Sequence, residues 1–158
     1  AEEDPTFKMS MQLGAGRLTR NYLKGDPYTA KSLIALEEHI EDQLDSLTRS
    51  LATFEKSIAV GTSKTFRTLV KLSQNLYPKL GPTLTIEALE VMVPKIQQLT
   101  IDERKELPSV STERAQQLVA GAMVARQLMR TLNLTEILIC PWALREGIVL
   151  HRLDWIER

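Results

Sequence analysis

The stretch SIAVGTSKTFRTLVKL, Ser57 to Leu72, changes its pattern at Gly61, and that change decides the fold class. Ser57 to Val60 is a short apolar run that ends abruptly in GTSKTF. Beyond it Phe66, Leu69, Val70 and Leu76 give one apolar face of a helix, Leu69 and Val70 lying three and four residues after Phe66. The unit is a strand, a glycine turn and a helix, the building block of α/β layers.

Working upstream, residues 6 to 13 (TFKMSMQL) alternate, with Phe7, Met9, Met11 and Leu13 on one face and Lys8, Ser10 and Gln12 on the other. A period of two predicts a half-buried strand. GAGRLTR follows, its two glycines reading as a tight turn with close backbone approach. Gly25, Asp26 and Pro27 break the chain. Thr29 is placed to cap a long amphipathic helix carrying Leu33, Leu36, Ile40, Leu44, Leu47 and Leu51.

Working downstream, YPKLGPT reads as a loop before a helix that starts near Thr85, and Pro94 should kink that helix or end it early. Thr100 and Glu103 have the spacing of a capping box. Ser111 can cap a further helix whose face carries Leu118, Val119, Ala122, Met129 and Leu132. Ala120, Gly121 and Ala122 within it predict close packing against a sheet. EILIC, Glu136 to Cys140, is a third strand, and a closing helix is expected from Trp142. The order strand, helix, strand, helices, strand, helix implies parallel strands joined by helical crossovers.

A chain of 158 residues fits one domain, 1–158, with a real hydrophobic core. Twenty basic residues balance twenty acidic ones, so no global field recruits nucleic acid or an anionic membrane. Any anion must be held by local geometry. One cysteine, Cys140, excludes an internal disulfide and suits a reducing cytoplasm. His39 and His151 lie too far apart in sequence to suggest a metal cluster, and His39, beside glutamates, reads as a surface residue. No apolar run approaches the ~20 residues that cross a bilayer. The opening AEEDPT, without methionine, leads us to expect a piece of a longer protein.

Chemistry is expected at the carboxyl ends of the strands. Gly61, Thr62, Ser63, Lys64 and Thr65 would combine helix-terminal amides with hydroxyls and a lysine, a reasonable phosphate cradle. A plain strand-to-helix turn fits the same residues, and a Walker A loop would need a second glycine. Arg17 and Arg145 follow strand-end turns, and each is either a ligand-facing or a solvated arginine. Arg114 lies in the first turn of its helix, where the dipole disfavours a cation unless an anion is near; Glu113 is one such neighbour. Glu146 is either a general base or half of a structural ion pair. Cys140, after three apolar residues and without a nearby histidine, reads as structural.

Four segments in order, LGAGRLTR, VGTSKTFRTL, SVSTERAQQLVAGAMVA and ICPWALREGIVLHRLDW, resemble the C-terminal half of the Ppx/GppA family of exopolyphosphatases and guanosine pentaphosphate phosphohydrolases, particularly its short actinobacterial-type members. The likeness runs from about Met11 to Leu153. Lys64 stands where many members carry glycine, and Pro141-Trp142 where Ser-Asp-Gly is common.

The resemblance implies an α/β fold: the second RNase H-like domain of the actin-like and sugar-kinase superfamily, a mixed sheet with flanking helices, lacking its first strand. It implies release of terminal phosphate from polyphosphate, or of the 5′ γ-phosphate from pppGpp, with Mg²⁺. It places Gly14, Gly16, Arg17, Gly61 to Thr65 and Arg114 at the phosphate cleft, and Arg145, Glu146 and Gly147 as its support. The catalytic glutamate and the first phosphate loop are then expected upstream of Ala1, and the chain alone is expected to be inactive. The alternative is a non-catalytic domain that senses polyphosphate or (p)ppGpp. Expected partners are polyphosphate or guanosine penta- or tetraphosphate, the missing N-terminal domain, and a second copy in a homodimer, since a missing strand exposes a sheet edge. Neither membrane nor nucleic acid is expected.

Overall fold

A computed structural model describes residues 7–51 and 58–142. Its elements are α1 (Ala15–Tyr22), α2 (Ala30–Leu51), β1 (Val60–Gly61), α3 (Lys64–Leu76), β2 (Leu84–Thr85), α4 (Ile86–Gln98), α5 (Ile101–Lys105), α6 (Thr112–Thr131) and β3 (Glu136–Ile139). β3 is the middle strand. β1 pairs with it in parallel, Val60 opposite Leu138 and Gly61 opposite Ile139. β2 pairs antiparallel, Leu84 opposite Ile137 and Thr85 opposite Glu136. The sheet is therefore mixed, as the family resemblance implies, and β2 adds an antiparallel strand to the parallel pairing drawn from the alternation of elements. A two-residue strand carries no period from which it could be read.

α6 is the centre of the helical layer. Residues 118 to 123 are buried without interruption, so the helix is enclosed on several sides. α1, α2, α3, α4 and α5 all pack against it. Gly121 sets the closest approach: a Cβ there would lie 2.5 Å from Thr65 Cγ2 and 3.5 Å from Ala15 Cβ. The small residues of α6 thus admit helices, not the sheet expected from sequence. The reason is that both α1 and α3 begin against the middle of α6.

Local signals account for the other helices. The Ser32 amide donates to Thr29 Oγ1 at 3.3 Å, as expected for the start of α2. Thr100 accepts from the Glu103 amide while Glu103 Oε2 accepts from the Thr100 amide at 2.7 Å, the reciprocal box predicted for α5. α4 continues past Pro94 to Gln98, so the proline does not end it early. Its missing donor affects only the bond to the Glu90 carbonyl one turn earlier. His39 is not a free surface residue: its ring stacks on Tyr22 with centroids 4.6 Å apart, tying α2 to α1.

Residues 7–13 form no strand, although their alternation predicted one. A strand needs a neighbour for its ladder, and none runs beside this segment among the described residues. Nor does GAGR leave a strand as a tight turn. Gly14, at φ −66° and ψ 120°, precedes α1, and Ala15, Gly16 and Arg17 form its first turn. The closing helix expected from Trp142 lies outside the described residues.

Arg104 is the largest fully buried side chain among the described residues. Its Nε donates to the Thr100 carbonyl at 3.2 Å, its Nη2 lies 3.5 Å from Asp26 Oδ1, and its guanidinium sits 4.4 Å from the Tyr28 ring centre. Asp26 Oδ1 also accepts from the Ile101 amide at 2.7 Å, so the turn before α2 is clamped to α5. Arg130 makes two bonds of 2.6 Å to Glu90, joining α6 to α4.

Two outcomes follow from this packing. Gly121→Ala should destabilise, since overpacking of about 1–3 kcal/mol exceeds the helix-propensity gain of about 1 kcal/mol. In a Thr65→Ser background the obstructing methyl is gone, and the same alanine should be neutral or stabilising in urea denaturation. An equal loss in both backgrounds would show that the Thr65 methyl does not limit the approach. The second outcome concerns pH. The hydrogen bond from Arg130 holds the Glu90 carboxyl below the ordinary glutamate value. Its contribution is thus full above the unfolded-state pKa and lost as pH falls through the lower folded one. Glu90→Gln should flatten the stability profile in that acidic window; an unchanged profile would contradict the assignment.

Candidate functional site

The site is assembled where α3 and α6 begin. β1 ends at Gly61, whose carbonyl accepts from the Cys140 amide at 3.0 Å. A Cβ on Gly61 would lie 3.0 Å from the Phe66 ring and 3.1 Å from Ile137 Cγ2, so this glycine serves packing beneath the turn. Ser63 caps α3: its Oγ accepts from the Phe66 amide at 3.2 Å and its carbonyl from the Arg67 amide at 3.2 Å. The Lys64 and Thr65 amides of the first turn have no acceptor among the described residues, and they carry the positive end of the α3 dipole.

α6 begins differently. The Ser111 carbonyl accepts from the Arg114 and Ala115 amides at 2.8 and 2.9 Å, but its side chain makes no capping bond. Just before it, Ser109 adopts a left-handed backbone with φ 66°, which turns the chain from α5 into α6.

Between these two helix starts lies a groove of about 370 Å³, lined by Lys64, Arg67, Thr68 and Lys71 on one side and Ser109, Ser111, Glu113 and Arg114 on the other. Beside it Thr65, Thr68, Arg114, Gln117 and Leu118 enclose a crevice of about 10 Å³, close to the room one water needs. The electrostatics are lopsided. Among the described residues, four cations line the groove against the single carboxylate of Glu113. Elsewhere Arg104, Lys105, Arg126 and Arg130 each have a carboxylate partner. None of the four groove cations has one among the described residues. Arg67 Nη1 donates to the Pro141 carbonyl at 3.3 Å, which steadies it without neutralising it. An anion in the groove would supply the missing charge.

Of the residues singled out in the sequence, Lys64 and Arg114 line this groove, and Thr65 lines the crevice beside it. Ser63 is committed to its cap, and Thr62 is exposed on the turn. Gly14, Gly16 and Arg17 stand at the start of α1. A Cβ on Gly16 would meet Gln117 Nε2 at 3.3 Å, so α1 reaches the same end of α6, but Arg17 is exposed and is not part of the groove lining. Arg145, Glu146 and Gly147 lie outside the described residues. Cys140 is a free, half-buried thiol at the end of β3. Arg67 and Lys71 are additions that the sequence reading missed. The signal was present: with Lys64 they recur at three and four residues along the polar face of α3.

Comparison with known proteins agrees with this architecture. Residues 1–155 match the Ppx/GppA phosphatase family. The chain is 41% identical to exopolyphosphatase 1 of Mycobacterium leprae, covering 97% of this chain and 47% of that protein. It is 40% identical to exopolyphosphatase 1 of Mycobacterium tuberculosis, with 97% and 46% covered. Among solved structures it is similar to an exopolyphosphatase from Cytophaga hutchinsonii, with a TM-score of 0.81, 19% identity, and 96% of this chain and 51% of that one covered. It is also similar to the Aquifex aeolicus Ppx/GppA family member, with a TM-score of 0.76, 24% identity, and 92% and 48% covered. The chain spans about half the length of the relatives it matches. With the α/β fold of its structural neighbours, RNase H-like and actin-like, and a family match over nearly its whole length, the chain belongs to the Ppx/GppA phosphatase family.

Proposed function

We propose that this chain is the second half of a phosphoanhydride hydrolase and forms one wall of its phosphate cleft, the substrate being inorganic polyphosphate. One observation carries the reading: among the described residues, two helix N-termini and four cations without carboxylate partners converge on a groove with a single carboxylate. The names of the relatives at 40–41% identity, exopolyphosphatase 1, support the choice of substrate.

Phosphoryl transfer by in-line attack of water leaves little covalent work for the protein, so catalysis is positioning and charge stabilisation. The Lys64 and Thr65 amides would receive the non-bridging oxygens of the terminal phosphoryl group. Lys64 and Arg114, from opposite sides of the groove, would neutralise its charge, and the hydroxyl of Ser111 would donate a further bond. Because the site is preformed by helix packing, these donors need no reorganisation as charge develops. The same oxygens occur in the 5′-triphosphate of pppGpp, so contacts to the terminal phosphoryl group alone do not separate the two substrates. No step is assigned to Mg²⁺. The described residues contain no group of three or more His, Cys, Asp or Glu side chains that could hold a metal, and Glu113 alone does not fit that role. The water-positioning carboxylate is likewise assigned to the other half of the enzyme.

Phosphate release from polyphosphate and from pppGpp, with Mg²⁺ supplied, tests this directly. The chain alone should show no turnover, because loss of a positioned base costs on the order of 10²–10⁴ in rate and loss of the opposing wall adds to it. In the full-length protein Lys64→Ala or Arg114→Ala should each lower kcat/KM on the order of 10²-fold. Turnover by the chain within tenfold of the full-length protein would overturn the two-wall reading. A full-length protein that binds polyphosphate without turnover would instead favour the sensor.

A further inference from the structure

We propose that Arg104 is a positioning residue for the groove: from the interior it holds Tyr28 against α6, and so sets where the start of α6, with Ser111 and Arg114, stands opposite α3. This rests on reading the groove as a phosphate-binding wall, and adds what keeps its second side in place.

The contacts run in sequence from the interior to the groove. The Arg104 guanidinium lies 4.4 Å from the Tyr28 ring centre. The Tyr28 hydroxyl donates to the Gln116 carbonyl at 3.0 Å. Gln116 is two residues beyond Arg114, and its carbonyl can take this bond besides the helical one because it has two lone pairs. Thr19 Oγ1 also reaches that carbonyl, at 3.3 Å, but it stands closer to the Ala15 carbonyl, at 2.9 Å. Tyr28 is therefore the firmer attachment. The backbone of Arg104 also begins the turn into α6: its carbonyl accepts from the Leu107 amide at 3.3 Å, and the Leu107 carbonyl from the Val110 amide at 3.2 Å.

Where this attachment falls matters for the groove. Gly121 holds the middle of α6 against Thr65, but one close contact leaves a rod free to tilt. Gln116 lies nearer the groove by about 7.5 Å along the axis, at 1.5 Å per residue. A second point there fixes the tilt, and with it the reach of Arg114 toward Lys64. Stability alone does not account for a buried arginine at this place. Its Nη1 is buried without a hydrogen-bond partner among the described residues, and its carboxylate, Asp26, is half-exposed. An apolar side chain of similar volume would avoid that desolvation. It would lack the planar guanidinium, which meets the Tyr28 ring while its edge bonds the Thr100 carbonyl and Asp26. The ring is thus held by a group that is itself fixed to α5 and to the turn before α2.

Calorimetric titration of the 158-residue chain with tripolyphosphate, beside urea denaturation of each variant, tests this. Tyr28→Phe keeps the ring and removes only the hydroxyl. Arg104→Met keeps the volume, and Arg104→Lys keeps the charge without the plane. Glu90→Gln is the control, because it loosens α6 at its Arg130 end. Tyr28→Phe should weaken tripolyphosphate about fivefold, the scale of one hydrogen bond. Arg104→Met should weaken it on the order of tenfold, since the ring itself is then released, and Arg104→Lys should not restore binding. The double variant should bind no more weakly than Arg104→Met alone, because both residues act through one contact. Glu90→Gln should bind as the wild type does despite its lower stability. If Tyr28→Phe and Arg104→Met lower stability and leave the affinity unchanged, Arg104 is structural only and the proposal is wrong, while the groove stands. Additive losses in the double variant would also overturn it. Should Arg104→Met fail to fold, Tyr28→Phe decides alone, and wild-type affinity there overturns the proposal. If the wild-type chain does not bind tripolyphosphate, the proposal and the groove reading both fall.

Discussion

Gly121 lies against Thr65 so closely that no side chain fits between them, and this contact fixes the distance between the middle of α6 and the first turn of α3. Ala15, at the start of α1, reaches the same glycine, so two helix starts are referred to one point on α6. Thr65 is β-branched and stiff at χ1, which turns the contact into a rigid spacer. Once α3 begins there, Lys64 and Arg114 must face one another across a groove, and the amides of the α3 start must open toward it. The geometry of the site is thus a consequence of helix packing, not of a specialised loop.

Charge follows the same logic. The chain carries no net charge, and three arginines outside the groove are matched by carboxylates: Arg104 by Asp26, Arg126 by Glu37, Arg130 by Glu90. Those pairs hold α5 to the turn before α2, α6 to α2 and α6 to α4. With so many carboxylates engaged in joining helices, the excess of cations in the groove stands out against a neutral background. Such an excess is tolerated because the groove is open to solvent, where like charges are screened. It becomes useful when an anion displaces that solvent.

The long helices were legible in the sequence because they carry many periodic positions and good caps. α2 with Thr29, and α5 with its Thr100–Glu103 box, begin as their residues indicate. The two apolar runs around Val60 and Ile137 announced β1 and β3. Other features depend on partners that a sequence does not display. Residues 7–13 alternate but have no neighbouring strand, β2 is too short to have a period, and the small residues of α6 could equally have faced a sheet. At the site, Lys64 and Arg114 could be found because helix starts are recognisable. Arg67 and Lys71 share a visible spacing with Lys64 but did not stand out, because cations on the polar face of a helix ordinarily meet only water. Packing of α3 beside α6 is what changes their meaning.

The central claim is that the converging starts of α3 and α6 form the anion site. Amide-resolved NMR of the ¹⁵N-labelled chain, titrated with inorganic phosphate, tests it most directly. The account predicts saturable shifts centred on the Lys64 and Thr65 amides and on Thr112 to Arg114. The starts of α4 and α5 should be silent, because their first amides are already paired, Ile86 donating to the Thr135 carbonyl at 3.0 Å and Ile101 to Asp26 Oδ1 at 2.7 Å. Shifts centred on α4 or α5, or none at the α3 start, would contradict it.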